Sequence, residues 1–254
     1  MIILIAGNYK TGKTISAYTF PRPIVALDLD NGASSIERAT GADGKLIIPD
    51  TKDINIFKFT RTQYSTLDFR TVDKESKSIG APSYSSGSFA QVANINNTLN
   101  SVANGSIKCR TLIIDSLSAL FLLWKDSVLH MNSIFGLRLQ DYRTLDQVLF
   151  HQFIPNLKMI DDKVDYIILV CHTVLDKDEL TGRIVEYPLG PSQAMGRTMG
   201  REFDEIWLQV NEGGKFSWRT KPYGFFQAGS RLNITDPITP ATYQQLKHLI
   251  PTLK

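Results

Sequence analysis

Cysteine and long apolar runs are scarce in this 254-residue chain, and each scarcity excludes a class of protein. The two cysteines, Cys109 and Cys171, are too few for a disulfide framework and favour a reducing, cytoplasmic compartment. No apolar run reaches the roughly 18 residues of a membrane-spanning helix, and the apolar start Met1–Ala6 lacks the basic leader of a signal peptide. With 43% hydrophobic residues, the composition also argues against a disordered chain.

Net charge is low as well, at +3, but it is unevenly distributed. Residues 211–254 hold six basic side chains against two acidic ones, a balance of +4. The first 210 residues are therefore close to neutral. This balance permits an anionic partner such as nucleic acid without requiring one.

Five apolar runs of strand length alternate with helical stretches. The runs lack regular polar alternation, which is typical of parallel strands covered on both faces. They are Met1–Ala6, Ile24–Asp30, Thr111–Asp115, Tyr166–Thr173 and Phe203–Val210. The pattern predicts helices over Thr14–Phe20, Phe89–Val102, Leu117–Leu129 and Leu145–Ile160. We therefore expect an α/β fold, with a mainly parallel sheet sandwiched by helices.

Three further segments affect the expected domain organisation. Ser76–Ser88 is rich in Ser and Gly, and Thr173–Gly200 shows little periodicity, so both are predicted to be long loops. Lys215–Gln227 alternates like a hairpin with its turn near Pro222–Gly224. We expect a single domain over residues 1–254, with a core over about 1–211 and a C-terminal β-hairpin and tail over about 212–254.

A complete phosphate-binding motif, G-x-x-x-x-G-K-[ST], follows the first predicted strand and precedes a predicted helix. The motif residues are Gly7, Asn8, Tyr9, Lys10, Thr11, Gly12, Lys13 and Thr14. Its glycines let backbone N–H groups turn inward around a phosphate, and the helix end adds positive potential. Lys13 is expected to reach the β- and γ-phosphates of ATP, and the Thr14 hydroxyl to hold Mg²⁺. A glycine turn without a ligand is the alternative.

Acidic residues end two other predicted strands. Asp115 lies at the carboxyl edge, where α/β sheets bind ligands, and we expect it to hold Mg²⁺ through water; capping the next helix is the alternative. Ser116 follows it, where many P-loop ATPases carry a catalytic Glu. The water-orienting carboxylate is therefore sought on the second strand, where Asp28 and Asp30 share a face. Asp30 is nearer the tip and is the candidate, with Glu37 as a weaker alternative.

A histidine ends the fourth predicted strand, in the pair His172-Thr173. His172 at this position could contact the γ-phosphate and report its loss to the segment that follows. The alternative is a histidine that satisfies local backbone groups. No cysteine or histidine spacing indicates a zinc site.

These motifs together resemble the RecA-like P-loop ATPase core. The resemblance rests on the P-loop, the acidic second strand, the strand end His172-Thr173 and Leu112–Leu120, in which Asp is followed by Ser rather than by the Glu of the AAA+ type. Other segments more narrowly resemble the compact bacteriophage RecA-like ATPases that promote single-strand annealing. These are Phe20–Pro23, Leu139–Tyr142, and Arg219–Pro222 with Arg231.

The resemblance implies a Mg²⁺-dependent ATPase that acts on single-stranded DNA in recombination, annealing or repair. It implies rings or filaments with ATP between protomers, a cytoplasmic location (the host's, if phage-encoded), a possible single-strand-binding partner protein and no membrane. An Asp at position 30, where the family carries a Glu, suggests slow hydrolysis. A P-loop motor or kinase that acts on a substrate other than DNA is the alternative.

Basic residues outside the P-loop are candidates for two roles that the resemblance implies. A cation offered in trans to the γ-phosphate is sought among Lys221, Arg231, Arg197 and Arg201. Contact with DNA is sought at Lys177, Arg183, Arg197 and Arg201. The aromatic and basic residues of the tail hairpin could also stack bases, but a half-buried edge hairpin explains the same pattern.

Overall fold

The computed structural model describes residues 1–41, 44–59, 86–132, 137–179, 181–232, 234 and 236–249. Most of the predicted loop Ser76–Ser88 lies outside the described residues, and its last three residues begin a helix. Within the described residues, no helix combines the length and the apolar character needed to cross a bilayer.

The described residues form nine strands, and the predicted apolar runs account for the central ones. The strands are β1 (Ile2–Gly7), β2 (Ile24–Asp28), β3 (Ile54–Lys58), β4 (Thr111–Asp115), β5 (Tyr166–Lys177), β6 (Ile184–Pro188), β7 (Glu205–Glu212), β8 (Lys215–Arg219) and β9 (Gly229–Ser230). Every residue of β1, β2 and β4 is buried. Strand β2 ends at Asp28, so Asp30 lies in the turn that follows it.

Seven α-helices lie in the described residues. They are α1 (Lys13–Ala17), α2 (Ser86–Ala103), α3 (Leu117–Asn132), α4 (Leu139–Gln147), α5 (Ile154–Asp161), α6 (Gln193–Met199) and α7 (Tyr243–Leu246). A π-helical stretch, Val148–Phe153, joins α4 to α5, so the helix predicted over Leu145–Ile160 is one continuous run of changing geometry. Helix α1 ends earlier than its predicted limit at Phe20.

The strands form one sheet in the order β3-β2-β4-β5-β1-β7-β8. The neighbours from β3 to β7 run parallel, whereas β8 and β9 pair antiparallel with β7, and β6 pairs antiparallel with β5. Helices pack on the faces of the sheet. The predicted α/β fold with a P-loop NTPase core is confirmed.

Each face of the sheet has its own apolar cluster. Leu4 of β1 belongs to a cluster shared with α2, α3 and α5, while Ile3 and Ile5 belong to a second cluster shared with Trp207 and Trp218. Successive side chains of a strand point to opposite faces, so a strand covered on both faces is apolar throughout. Burial of each such side chain contributes about 1.5–3 kcal/mol and holds these strands in place. Because they run parallel, their carboxyl ends lie at one edge of the sheet.

The predicted hairpin is present, but its turn is elsewhere. Strands β7 and β8 pair across Gly213-Gly214, whose φ values of +60° and +82° suit glycine. The predicted turn near Pro222 is wrong as a strand connection, because the tight turn at Tyr223–Phe226 closes only an isolated bridge. The turn at Gly213-Gly214 was missed in the sequence because no run of β-branched residues, the usual sign of a strand, precedes these two glycines.

The prediction of a loop over Thr173–Gly200 is also wrong. Strand β5 continues to Lys177, returns as β6 and is followed by α6. The hairpin of β5 and β6 extends beyond the packed sheet, and its outer residues are partly exposed. Exposure on both sides removes the polar alternation by which a half-buried strand is recognised.

Candidate active site

The P-loop joins the buried end of β1 to α1. Lys13 is only 5% exposed, and its Nζ donates to the carbonyl oxygens of Gly7 and Asn8, at 3.0 and 2.6 Å. Burial lowers the pKa of Lys13 to about 8, and the nearby charge of Asp115 opposes that shift. A phosphate entering the loop would favour the charged form and take over these hydrogen bonds.

A side-chain hydrogen bond attaches helix α1 to strand β7 of the sheet. The Ser16 hydroxyl lies 2.9 Å from Gln209 Oε1 on β7 and 2.8 Å from the Lys13 carbonyl oxygen. Because α1 has only five residues, its end contributes less positive potential than the sequence suggested. The inward-turned backbone of the loop carries most of the expected phosphate binding.

Oxygen atoms from three separate segments converge on one point beside Gly32. A Cβ added to Gly32 would lie 2.9 Å from Thr14 Oγ1, 3.1 Å from Asp30 Oδ1 and 3.2 Å from Asp115 Oδ2. Because Gly32 has no side chain, these three oxygens can lie close together beside its Cα. Hydroxyl and carboxylate oxygens are the ligands that Mg²⁺ prefers.

Asp28 is a fourth oxygen-bearing residue at this edge, and sequence reasoning did not select it. In the parallel pairing of β2 and β4, Asp28 is the register partner of Asp115. Its Oδ1 accepts from the Gly32 amide at 3.0 Å, which anchors the turn that presents Asp30. The available signal was the shared face of Asp28 and Asp30, but the last acid of the run was preferred.

The buried acids have strongly altered proton affinity. Burial, reinforced by the charge of Asp30, raises the pKa of Asp115 to about 7, against a hydrogen bond from Thr14. Burial and Asp30 also raise the pKa of Asp28. One carboxylate oxygen of each of these two residues is buried without a hydrogen-bond partner.

These orphaned oxygens fit a divalent cation. An unpaired buried carboxylate is costly, and a bound cation removes that cost. In the described part of the chain, no group of three His, Cys, Asp or Glu side chains forms a metal site by itself. That suits Mg²⁺, which is commonly held by one or two carboxylates together with waters and substrate phosphates.

His172 lies against both the P-loop and Asp30. Its ring centroid is 4.3 Å from that of Tyr9, and its Nε2 is 3.9 Å from Asp30 Oδ2. Burial, followed by the charge of Lys13, lowers the pKa of His172, so the imidazole is neutral at physiological pH. Its Nδ1 is buried without a partner, and the next residue, Thr173, bonds Asn8 Oδ1 at 3.2 Å.

The predicted residues line one cavity of about 280 Å³. Lys13, Thr14, Asp30, Asp115 and His172 lie around it, together with three neighbouring P-loop residues. Four lining residues were not predicted from sequence: Ile15, Ser35, Val170 and Phe216. Of these, Phe216 follows the P-loop by some 200 residues, and no local pattern linked the two.

The basic residues considered for trans action or DNA contact lie outside this cavity lining. Arg197 contacts Asp176 and Asp178 at 3.1 and 3.0 Å, and Arg231 contacts Asp204 at 3.0 Å. Arg201 lies 3.5 Å from Glu202 with most of its side chain exposed. Lys177, Arg183 and Lys221 are exposed, the first two on the hairpin of β5 and β6.

A comparison with known protein families gives a match over most of the chain. Residues 1–232 match a family model described as an AAA domain. The matched region includes the P-loop, Asp30, Asp115 and His172. No curated protein matches the chain.

Proposed function

The chain belongs to this AAA domain family of nucleotide-binding P-loop ATPases, and on that premise we propose that it binds ATP with Mg²⁺ at residues 7–14 and hydrolyses it. The convergence of Thr14, Asp30 and Asp115 oxygens beside Gly32 is the observation that carries the proposal. A bare glycine turn would not bring two carboxylates and a hydroxyl close together next to a buried lysine.

Each residue has a role that follows from its position. Lys13 contacts the β- and γ-phosphates, while Thr14 and Asp115 hold Mg²⁺, which when bound neutralises developing charge on the phosphate oxygens. Asp30 is exposed at the mouth of the site, where its carboxylate can accept a hydrogen bond from the attacking water. An Asp side chain reaches one methylene less far than a Glu, which favours slow hydrolysis.

His172 is the proposed sensor of the γ-phosphate. Its neutral imidazole lies between Tyr9 of the P-loop and Asp30, and its Nε2 faces Asp30 Oδ2 at 3.9 Å in the lining of the cavity. The strand that carries it continues directly into the hairpin of β5 and β6. Loss of the γ-phosphate could therefore shift His172 and, through the same strand, the exposed hairpin of β5 and β6.

Single-stranded DNA is the proposed substrate, within a role in phage-type recombination, annealing or repair. Support comes from the RecA-like motifs and from Lys177 and Arg183, which are exposed on the hairpin that follows His172. Exposed basic side chains there can neutralise phosphates of a DNA backbone. Arg197 contacts Asp176 and Asp178 of the hairpin, and Arg201 is exposed in the short turn after α6. The acidic residues of the hairpin dilute its positive charge.

Self-association into a ring or filament is proposed because the RecA-like ATPases that the chain resembles bind ATP between protomers, with a cation from the neighbouring protomer at the γ-phosphate. The cationic side chains that line the cavity in the described structure are Lys10 and Lys13, both from the P-loop itself. Lys221 is exposed and could reach a neighbouring protomer, whereas Arg197, Arg201 and Arg231 would first leave their acidic partners.

The test measures ATP turnover with and without Mg²⁺ in wild type, Lys13→Ala and Asp30→Asn. Lys13→Ala should abolish nucleotide binding and turnover, because it removes the buried phosphate contact. Asp30→Asn should retain binding but lose about 100-fold or more in turnover, the usual scale for a proton-accepting group. Lys163→Ala and Asp162→Asn are matched surface controls and should behave as wild type. Full turnover in Asp30→Asn would remove Asp30 from the mechanism.

The DNA proposal is tested by adding single-stranded DNA to the same assays and to sedimentation runs. Stimulated turnover together with faster sedimentation is expected. If DNA changes neither quantity while Mg²⁺-dependent turnover persists, the alternative of a motor or kinase with another substrate is favoured.

A further inference from the structure

Phe216 is an exposed aromatic residue that directly precedes the buried part of strand β8. Its neighbours Ser217 and Trp218 are 4% and 0% exposed, whereas Phe216 is 37% exposed. Its backbone is fixed, because Phe216 pairs with Asn211 of β7 and its carbonyl oxygen accepts from the Ala241 amide at 3.0 Å. The ring is therefore presented by a rigid element.

The ring of Phe216 lies directly over the P-loop. Its Cδ1, Cε1 and Cγ atoms would be 2.9, 3.2 and 3.6 Å from a Cβ added to Gly12. Gly12 immediately precedes Lys13, and the same cavity is lined by Ile15 on the first turn of α1. Phe216 beside Gly12 and Ile15 after Thr14 thus give the cavity an apolar part of its lining, and Asp30, Asp115 and His172 supply polar groups.

The polar and apolar parts of the cavity lining suit the two ends of a nucleotide. The carboxylates, Thr14 and Lys13 define where the terminal phosphates and the metal lie. The remaining part of the ligand is a ribose and a flat heteroaromatic base, which gains most from a rigid apolar or aromatic surface. A base stacked on an aromatic side chain gains binding free energy whatever the base, because every base has a π-face.

We propose that Phe216 contacts the nucleobase, and that this contact supplies the part of the nucleotide affinity that does not come from the phosphates. The inference rests on the proposed function, since it assigns the base end of that same site. A purely structural role for Phe216, as a prop for the P-loop at Gly12, makes a different prediction, because a distorted loop would lose phosphate binding as well.

The experiment compares two probes, ADP and inorganic tripolyphosphate, each titrated calorimetrically in the presence of Mg²⁺. Phe216→Ala should weaken ADP binding about tenfold or more, within the range measured for base–aromatic contacts. Tripolyphosphate has no base, so its binding should change by less than about twofold. Phe216→Tyr should restore ADP affinity. Phe225→Ala is the matched control, because Phe225 is 52% exposed and lies outside the cavity lining.

Equal losses for ADP and tripolyphosphate in Phe216→Ala would overturn the base contact in favour of the structural role. No loss for either ligand would overturn it as well. Failure of the proposed function looks different, because wild type would then bind neither probe. If wild type binds both probes and Lys13→Ala binds neither, the nucleotide site is upheld, whatever the result at Phe216.

Discussion

Asp28, Asp30 and Asp115 lie at one edge of the sheet beside Lys13. Burial is the main reason that the pKa of Asp115 rises to about 7, and the negative charges of Asp30 and Asp28 add to the shift. An arrangement of this kind is unfavourable for folding and favourable for binding a cation. Function at this edge therefore has a stability cost that the bound ligand relieves.

The raised pKa of Asp115 should make the free energy of unfolding depend on pH. In the folded protein it keeps its proton up to a pH of about 7, whereas in the unfolded chain it loses the proton near pH 4. The folded state thus binds more protons between these values, so the free energy of unfolding falls as pH rises through this window.

Asp115→Asn removes that dependence. Without Mg²⁺, we expect the variant to gain stability over wild type by about 2–3 kcal/mol more at pH 8 than at pH 5. Urea unfolding in EDTA at both pH values measures the difference, with Asp162→Asn as the exposed control. A stability difference that is the same at both pH values would show that Asp115 titrates normally. With Mg²⁺ present, the variant should lose turnover.

At the scale of elements, β5 links the nucleotide site to the surface. Its first half is buried between β4 and β1, and its second half pairs only with β6 in the described structure. Arg197 of α6 holds that second half through Asp176 and Asp178, and its guanidinium lies 5.4 Å from the Tyr187 ring centroid. These ion pairs add to the packing of the buried Tyr187 ring against Gly196 of α6, and they are weaker than core packing.

Arg197→Ala should loosen this hairpin without destroying the site. Amide hydrogen exchange of β5 beyond Thr173 and of β6 should become several-fold faster, because local opening is controlled by such contacts. ATP turnover without DNA should stay close to wild type. If exchange is unchanged and turnover is lost, Arg197 instead acts as the cation in trans. Arg183→Ala is the matched control, since it removes an exposed arginine of the same hairpin.

At the scale of the whole molecule, the site is built on the central strands. Strands β1, β4 and β5 are adjacent in the sheet and carry the P-loop, Asp115 and His172 at their carboxyl ends. Both apolar clusters contain residues of all three strands. A ligand bound there is therefore coupled to the packing of both layers.

Nucleotide binding should consequently stabilise the entire chain. At a free ligand concentration of 100 times Kd, the stabilisation is about 2.7 kcal/mol, which raises Tm by about 5–10 °C for a protein of this size. Calorimetry with ADP and Mg²⁺ should show one transition that shifts as a unit, as the predicted single domain requires. Lys13→Ala should show no shift. Two transitions, of which only one responds, would contradict the single domain.

Local sequence determined the parts of the site that depend on short-range patterns. The P-loop was predictable because its glycines, lysine and threonine lie within eight residues, and its flanking strand and helix have distinct periods. Asp115 and His172 were predictable as strand ends, since uninterrupted apolar runs stop there. The α/β fold followed from the alternation of these runs with helical stretches.

Only the tertiary structure decided how distant segments meet. Strand pairing made Asp28 the neighbour of Asp115, the turn at Gly32 placed three oxygens around one point, and β8 brought Phe216 over Gly12. The same pairing turned a presumed loop into the hairpin of β5 and β6 and gave Arg197 its acidic partners. The physical reason is that periodicity specifies which face of an element is buried. Register and sheet order, which bring particular side chains together, arise from packing between segments far apart in the chain.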